Sequence, residues 1–412
     1  MSPHPRAAAA VAVLAVAALV LPAGVVVSAL VAVAVVVVVD AVAARRPPEL
    51  RRATPRILAR GVSTPLVVEA GEGVRVRQPV VPDLDLAPTE GDGRLDAVLV
   101  PRRRGRHPLP AAVARTTGPL GLARWDHRLA ETADVVVYPD LPAAHRLARA
   151  VRQGKLREQG RLARGALGLG TDFESVRDYS PDDDVRQVNW RATARLDRPM
   201  SNQYRVDQDR DVVCVVDTGR LMQAPVGERA TRLDVALDAV AAVAMVADVV
   251  GDRCGTVAFD SIVRRRLSPR RAGGQAVVEA LFDLEPSGVE SDYELAFRTV
   301  GGGKRALVLV FTDLLDEAAA RSLVDAVPVL ARRHALVVAS AVDPDIAGLL
   351  STPPATTLDR WARVVADDVL EARSRAATRL TAAGAQVVEA PPQQLGVACV
   401  TAYLRMKARA RL

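Results

Sequence analysis

Aromatic side chains are scarce in this 412-residue chain, with three tryptophans, five tyrosines and five phenylalanines. Its cores must be packed from alanine, valine and leucine, and few rings are left to stack on bases, which counts against a nucleic-acid binder. Cysteine occurs three times, at 214, 254 and 399, an odd number with no close pair. A disulfide scaffold is therefore not expected, and a reducing compartment fits. The histidines at 4, 107, 127, 145 and 334 share no metal-ligand spacing, which argues against structural zinc. No G-x-S-x-G nucleophile elbow is present. GGGKR at 301–305 lacks the spacing and terminal hydroxyl of a phosphate loop and precedes a strand instead of following one, so it reads as a turn.

Charge is absent from Ala7 to Val39. As one helix, this 33-residue run would reach about 50 Å, well beyond the roughly 30 Å hydrocarbon core of a bilayer. Pro22, Ala23 and Gly24 divide it into Ala7–Leu21 and Val25–Ala44, which predicts a helical hairpin of two spans, with a single tilted span as the alternative. Arginines at 45, 46, 51, 52, 56 and 60, against the single acid Glu49, hold the following chain on the cytoplasmic side. The formal net charge of +7 is arginine-driven and is concentrated in part there. An exported signal peptide fits less well, because the apolar stretch outruns an ordinary signal and the arginines oppose export.

From about Gly61 to Tyr138, short alternating pieces such as DAVLVP and DVVVYP are separated by Gly, Pro and Asp, the pattern of a small antiparallel β domain. Leu141–Leu169 is arginine-rich and reads as a partly helical connector. Beyond it, apolar runs at 211–217, 255–260, 306–313, 334–340 and 386–390 alternate with alanine-rich helical stretches. That alternation predicts a parallel sheet covered on both faces, an α/β domain. The expected organisation is a transmembrane hairpin over 1–45, a β-sandwich-like domain over 46–140, a connector over 141–205 and the α/β domain over 206–412.

In such a sheet, ligands gather beyond the carboxyl ends of the strands. Asp217 and Asp313 end two strands, and Ser291 in a later loop could add a third hard oxygen of the kind Mg²⁺ takes. No cofactor is firmly expected, and Mg²⁺ is the ion these oxygens would suit. Strand-end aspartates also serve routinely as caps and turn formers. A second constellation crowds VRDYSPDDDVRQVNWRATARLDRP into 176–199. Here Glu174, Arg177, Asp178, Tyr179, Asp183, Asp184, Arg186, Trp190 and Arg195 are expected to form a structural network of arginine–carboxylate pairs packed on apolar residues. Catalysis would need facing carboxylates with separated pKa values, which sequence does not reveal.

The stretch 171–222, in which RDY, DD, NW and TAR elements are followed by DVVCVVDTGR at 211–220, resembles the DUF58 family, as does PRRRGRHPLPAAVARTTGPLGL at 101–122. That resemblance implies a membrane-attached bacterial protein whose last domain is von Willebrand factor type A-like, with a Rossmann-like sheet. The metal motif of such domains, D-x-S-x-S, would begin at Asp217, but its two serine positions fall on Gly219 and Leu221. The resemblance further implies a non-enzymatic adaptor or assembly factor in the bacterial cytoplasmic membrane, working with a MoxR-type AAA+ ATPase on a client protein. Its docking surface would lie around Asp217, Thr218, Arg220, Asp292 and Asp313; the apolar segments themselves imply lipid contact through the hairpin, and the composition implies no nucleic acid. The alternative is a Mg²⁺-dependent hydrolase using Asp217 and Asp313.

Overall fold

The computed structural model describes residues 2–128, 132–154, 157–158, 161–162, 172–180, 188–205, 210–227, 230–301, 304–314 and 317–408. The chain divides into two compact units, 1–137 and 138–412.

In the first unit the apolar run breaks where Pro22 sits. Helix α1 covers Pro5–Ala17 and α2 covers Ala23–Ala44. At about 1.5 Å per residue these are roughly 20 and 33 Å long. By length and composition α2 can cross a membrane, whereas α1 is apolar but shorter. Both ends of the hairpin are fastened to the same strand, Ala123–Arg128. Ser2 and Pro3 pair antiparallel with Arg124 and Ala123, and the His4 amide donates to the Leu122 carbonyl at 2.9 Å.

At the other end, Asp40 in the last turns of α2 is buried. Its carboxylate accepts the backbone N–H groups of Leu120, Leu122 and Ala123 at 2.7, 2.7 and 2.9 Å. Gly118 makes this approach possible, since a Cβ there would come within 2.3 Å of the Asp40 carboxyl carbon. The Ala44 carbonyl, left without a helical partner at the helix end, accepts Thr116 Oγ1 at 2.6 Å and lies 3.1 Å from His127 Nε2. The rest of the unit is built from antiparallel pairings in a five-, a four- and a three-stranded sheet. Strand Arg94–Pro101 shows the expected alternation, burying Leu95, Ala97 and Leu99.

The second unit contains the α/β sheet. Its strands are β1 (Asp211–Asp217), β2 (Arg253–Phe259), β3 (Val263–Arg270), β4 (Ala306–Phe311), β5 (Ala335–Ala341) and β6 (Gln386–Ala390). They lie side by side in the order 3-2-1-4-5-6, the order of a doubly wound dinucleotide-fold sheet. The sheet is mixed, because the short strand that the sequence suggests near Ile262–Leu267 joins the parallel strands as an antiparallel edge. Five strands run parallel, and β3 returns antiparallel along β2 as an edge. Only three residues, Asp260 to Ile262, separate β2 from β3, too few for the crossover that a parallel strand needs.

The second unit's helices are α3 (Leu141–Arg152), α4 (Trp190–Leu196), α5 (Arg232–Val250), α6 (Gly274–Leu281), α7 (Tyr293–Val300), α8 (Glu317–Ala331), α9 (Pro344–Ser351), α10 (Thr357–Ala382) and α11 (Pro392–Ala408), of which α4 packs on the separate two-stranded ribbon of Asp172–Asp178 and Met200–Arg205. Alternate residues of β1 feed two cores. Val212, Cys214 and Val216 pack with α5, α6 and α11, whereas Val213 and Val215 pack with α7, α8 and α10. Helix α5 is apolar nearly all round because the sheet, α3 and α11 all pack against it. A capping box between Thr231 and Asp234 starts α5, and Gly251 with φ of 80° ends it. Part of the expected connector is thus core structure, with Ala144 and Ala148 of α3 buried.

At the amino end of the sheet, the buried Asp252 carboxylate accepts Lys407 Nζ at 2.6 Å and the Tyr403 hydroxyl, and so fixes α11. All three cysteines are buried and unpaired, and burial pushes the Cys399 thiol up to about 12. Native full-length protein in detergent is therefore expected to leave a chromogenic disulfide reagent almost unreacted, and to release three equivalents once unfolded. Rapid reaction of the native protein would contradict this packing.

Candidate functional site

The sheet reverses its winding between β1 and β4, and the residues just past these strands meet there. Asp217 closes β1 and is 1% exposed. Its Oδ1 accepts the Gly219 amide at 2.8 Å and the Ser291 hydroxyl at 2.5 Å, and its Oδ2 accepts the Tyr293 hydroxyl at 2.8 Å and the Thr312 hydroxyl at 2.7 Å. Four donors thus compensate a buried carboxylate. Burial, followed by the Asp217 charge, pushes the Tyr293 phenol well above its ordinary value, so Tyr293 keeps its proton and donates.

Thr218 continues the lacing. Its hydroxyl donates to the Phe259 carbonyl at 2.9 Å, and its own carbonyl accepts the Ser287 amide at 2.6 Å. Past β2, Asp260 is also fully buried and accepts Arg264 Nε at 2.6 Å and the Ile262 amide at 3.0 Å. Burial alone would raise its pKa, but Arg264, Ser287 and that amide hold it below the usual carboxylate value. Sequence reasoning missed Asp260, although the GTVAFD run ends on it just as DVVCVVD ends on Asp217.

Asp313 belongs to a different partner set. Its Oδ1 accepts Arg232 Nη1 at 3.0 Å, Arg373 Nη1 at 3.3 Å and the Leu314 amide at 2.8 Å, while Arg232 Nε lies 2.9 Å from Oδ2. Arg373 also pairs with Glu389 at 2.8 Å and donates to the Ala341 carbonyl at 3.1 Å. Burial raises the Asp313 pKa against the pull of the two guanidiniums, and burial lowers that of Arg232. This network joins the N-terminus of α5, the ends of β4 and β5, helix α10 and strand β6. Neither arginine was singled out in the sequence, where arginine is by default a surface residue.

These placements revise the sequence-based expectations. Asp217 and Ser291 do come together, but Asp313 is neutralised by arginines and does not join them as a third metal oxygen. Gly219 offers no room for the missing motif serine, because a Cβ on it would lie 2.0 Å from Ser291 Oγ. Among the described residues, no group of three or more His, Cys, Asp or Glu is placed to hold a metal. The donor set therefore does not fit the divalent ion of a D-x-S-x-S site, and Asp217 and Asp313 are held by separate sets of partners. Of the five expected docking residues, Asp217, Thr218 and Asp313 are buried with internal partners and cannot present a surface. Arg220 and Asp292 are exposed. Asp292 caps α7 through the Leu295 amide at 2.9 Å, and Arg220 pairs with Glu290 at 2.7 Å.

The acidic stretch is also revised. Asp182, Asp183, Asp184 and Arg186 lie outside the described residues, as does the side chain of Glu174 in strand Asp172–Asp178. Arg177, Asp178 and Arg195 are exposed, and Trp190 is 70% exposed, so these members form no buried network. Asp178 pairs with Arg198 at 3.3 Å in water, which contributes little. The order here comes from Asn189 and Thr193. Asn189 caps α4 through the Ala192 amide at 3.0 Å and donates to Asn202 Oδ1 at 2.7 Å, and Thr193 Oγ1 accepts the Met200 amide at 3.0 Å. Tyr179 joins through its amide, which donates to the Pro199 carbonyl at 2.9 Å. The signal for this clasp was the NWRAT element itself, with a cap residue ahead of a short helix.

Comparison with known proteins agrees with part of the resemblance. Residues 175–352 match the family described as Protein of unknown function DUF58. The uncharacterized proteins Mb1516 of Mycobacterium bovis and Rv1480 of Mycobacterium tuberculosis are each 27% identical over 217 residues. That alignment takes in 50% of this chain and 66% of each relative, just under two thirds of their length. Among solved structures, the SpRpn10 VWA domain matches with a TM-score of 0.30 at 14% identity, covering 47% of this chain and 94% of that one.

Replacing Asp217 by Ala would strand four donors, and is expected to destabilise the second unit by more than about 3 kcal/mol, read by thermal melting. Gly219→Ser should also lower the melting temperature, through collision with Ser291. Adding Ser291→Gly to that variant should recover part of the loss. A Gly219→Ser protein as stable as wild type would show that the loop is not packed as described.

Proposed function

We propose that the protein is a non-enzymatic, membrane-tethered docking module. In this reading the α1–α2 hairpin anchors it in the bacterial cytoplasmic membrane as two spans, with the remaining chain on the cytoplasmic side. The fastening of both hairpin ends to one strand supports a common side for them, and the arginines after α2 support the cytoplasmic one.

The observation that carries the docking role is the commitment of every strand-end carboxylate named above to internal donors. What faces outward at this end of the sheet is a rim of Arg220, Ile262, Val289, Glu290 and Asp292. Backbone bonds brace it, from Arg220 N to the Val289 carbonyl at 2.8 Å and from Asp292 N to the Asp260 carbonyl at 2.9 Å. A braced rim that mixes exposed apolar and charged side chains over a chemically silent centre suits recognition of a protein surface. The DUF58 resemblance adds a partner class, a MoxR-type AAA+ ATPase that supplies energy for work on a client.

The test is binding of the purified MoxR-type ATPase from the same genome to full-length protein in detergent, measured by biolayer interferometry. Arg220→Glu should weaken binding about tenfold or more while leaving the melting temperature unchanged, because its partner Glu290 is itself exposed. Affinity unchanged by Arg220→Glu and by Asp292→Ala would remove the rim from the account. Turnover of a phosphoester by the wild-type chain would overturn the non-enzymatic reading.

A further inference from the structure

The base of the helical hairpin gathers positive charge that its surroundings leave uncompensated. Arg6, in the first turn of α1, extends over the loop 118–122, where a Cβ on Gly121 would meet its Nη1 at 2.8 Å. Arg124 lies opposite Ser2 in the strand pairing. The two guanidiniums bear on His4 between them, and after desolvation their charges hold its imidazole below the ordinary value. On the α2 side, Arg45 stacks 5.6 Å over the Trp125 ring, with Arg46 exposed beside it.

The nearby acids are already engaged. Asp40 is filled by three backbone amides, and Asp126 pairs with Arg115 at 2.7 Å. Among the described residues, none of Arg6, Arg45, Arg46 and Arg124 has a carboxylate within ion-pair distance. The collar also has a fixed height along α2. The Asp40 clamp sets the loop 118–122 just where the outward-facing valines Val38, Val39 and Val42 end the apolar stretch, and Leu120 of that loop is 56% exposed.

We propose that this collar binds anionic phospholipid, with Arg6, Arg45 and Arg124 taking headgroup phosphates, Leu120 reaching the first acyl carbons, and Asp40 holding the loop in position. Cations ringing the exit of an apolar helix, beside an exposed apolar loop tip, match the layered chemistry of an anionic membrane surface. The inference rests on the reading of α1–α2 as a membrane anchor.

The test uses delipidated full-length protein in neutral detergent, with Trp190→Phe and Trp361→Phe leaving Trp125 as the sole indole. Its emission is followed during titration with dioctanoyl phosphatidylglycerol, dioctanoyl phosphatidylcholine or inorganic phosphate. Phosphatidylglycerol should give a saturable change that salt weakens, and Arg6→Gln with Arg124→Gln should weaken it about tenfold or more. Arg6→Lys with Arg124→Lys should retain most of the response, which separates lost charge from lost fold. An equal response to phosphatidylcholine, or an undiminished response in the glutamine variant, would overturn the proposal. Inorganic phosphate matching the lipid would make this a free-anion site and overturn the lipid assignment. The anchor reading fails separately, if wild-type protein stays in the soluble fraction of lysed cells.

Discussion

A carboxylate taken out of water must be met by donors, and the second unit is organised around one that is. Asp217 stands at the reversal point of the sheet, where most doubly wound folds place a ligand. Here the protein's own groups, Gly219 N, Ser291, Tyr293 and Thr312, meet the carboxylate at that point. The turn after β1, the loop into α7 and the end of β4 are thereby tied to one charge. Breaking one tie exposes the others to an unpaired charge in a dry interior, so the loops at this end are expected to hold together as a unit.

Two further buried charge clusters serve the helices. At the carboxyl end of the strands, Asp313 gathers Arg232 from α5 and Arg373 from α10, with Glu389 of β6 on the second arginine. At the opposite end, Asp252 gathers Tyr403 and Lys407 from α11. Apolar packing of Ala, Val and Leu is non-directional, and a core with so few rings offers little shape to fix a helix's register. Directional bonds to buried acids supply that register.

Much of this architecture could be read from the chain, and the exceptions have physical causes. DVVCVVD and QVVEA are legible as buried strands because their apolar runs are unbroken and bounded. Thr231 to Val250 is legible as a helix because its cap and its length agree. Helix α10 is not, since its buried positions are Ala366, Arg373, Ala376 and Leu380, while Leu358, Trp361, Val364 and Val365 face out. A small-residue and charged inner face hides the usual period. Asp217 is legible as a strand-end acid, but its role is not. Ser291, Tyr293 and Thr312 lie 74, 76 and 95 residues away in sequence and meet it only through the sheet order. In the acidic stretch the described arginines Arg177 and Arg195 lie in water, while Asp183, Asp184 and Arg186 fall outside the described residues.

The central claim is that the carboxyl end of the sheet is ordered by internal hydrogen bonds and not by a bound metal. Amide hydrogen exchange on full-length protein in EDTA tests it most directly, followed over residues 217–223, 287–293 and 311–314 and then repeated with Mg²⁺. The account predicts slow exchange in all three segments without metal, and no further slowing when Mg²⁺ is added. Fast exchange in EDTA that Mg²⁺ suppresses would contradict it.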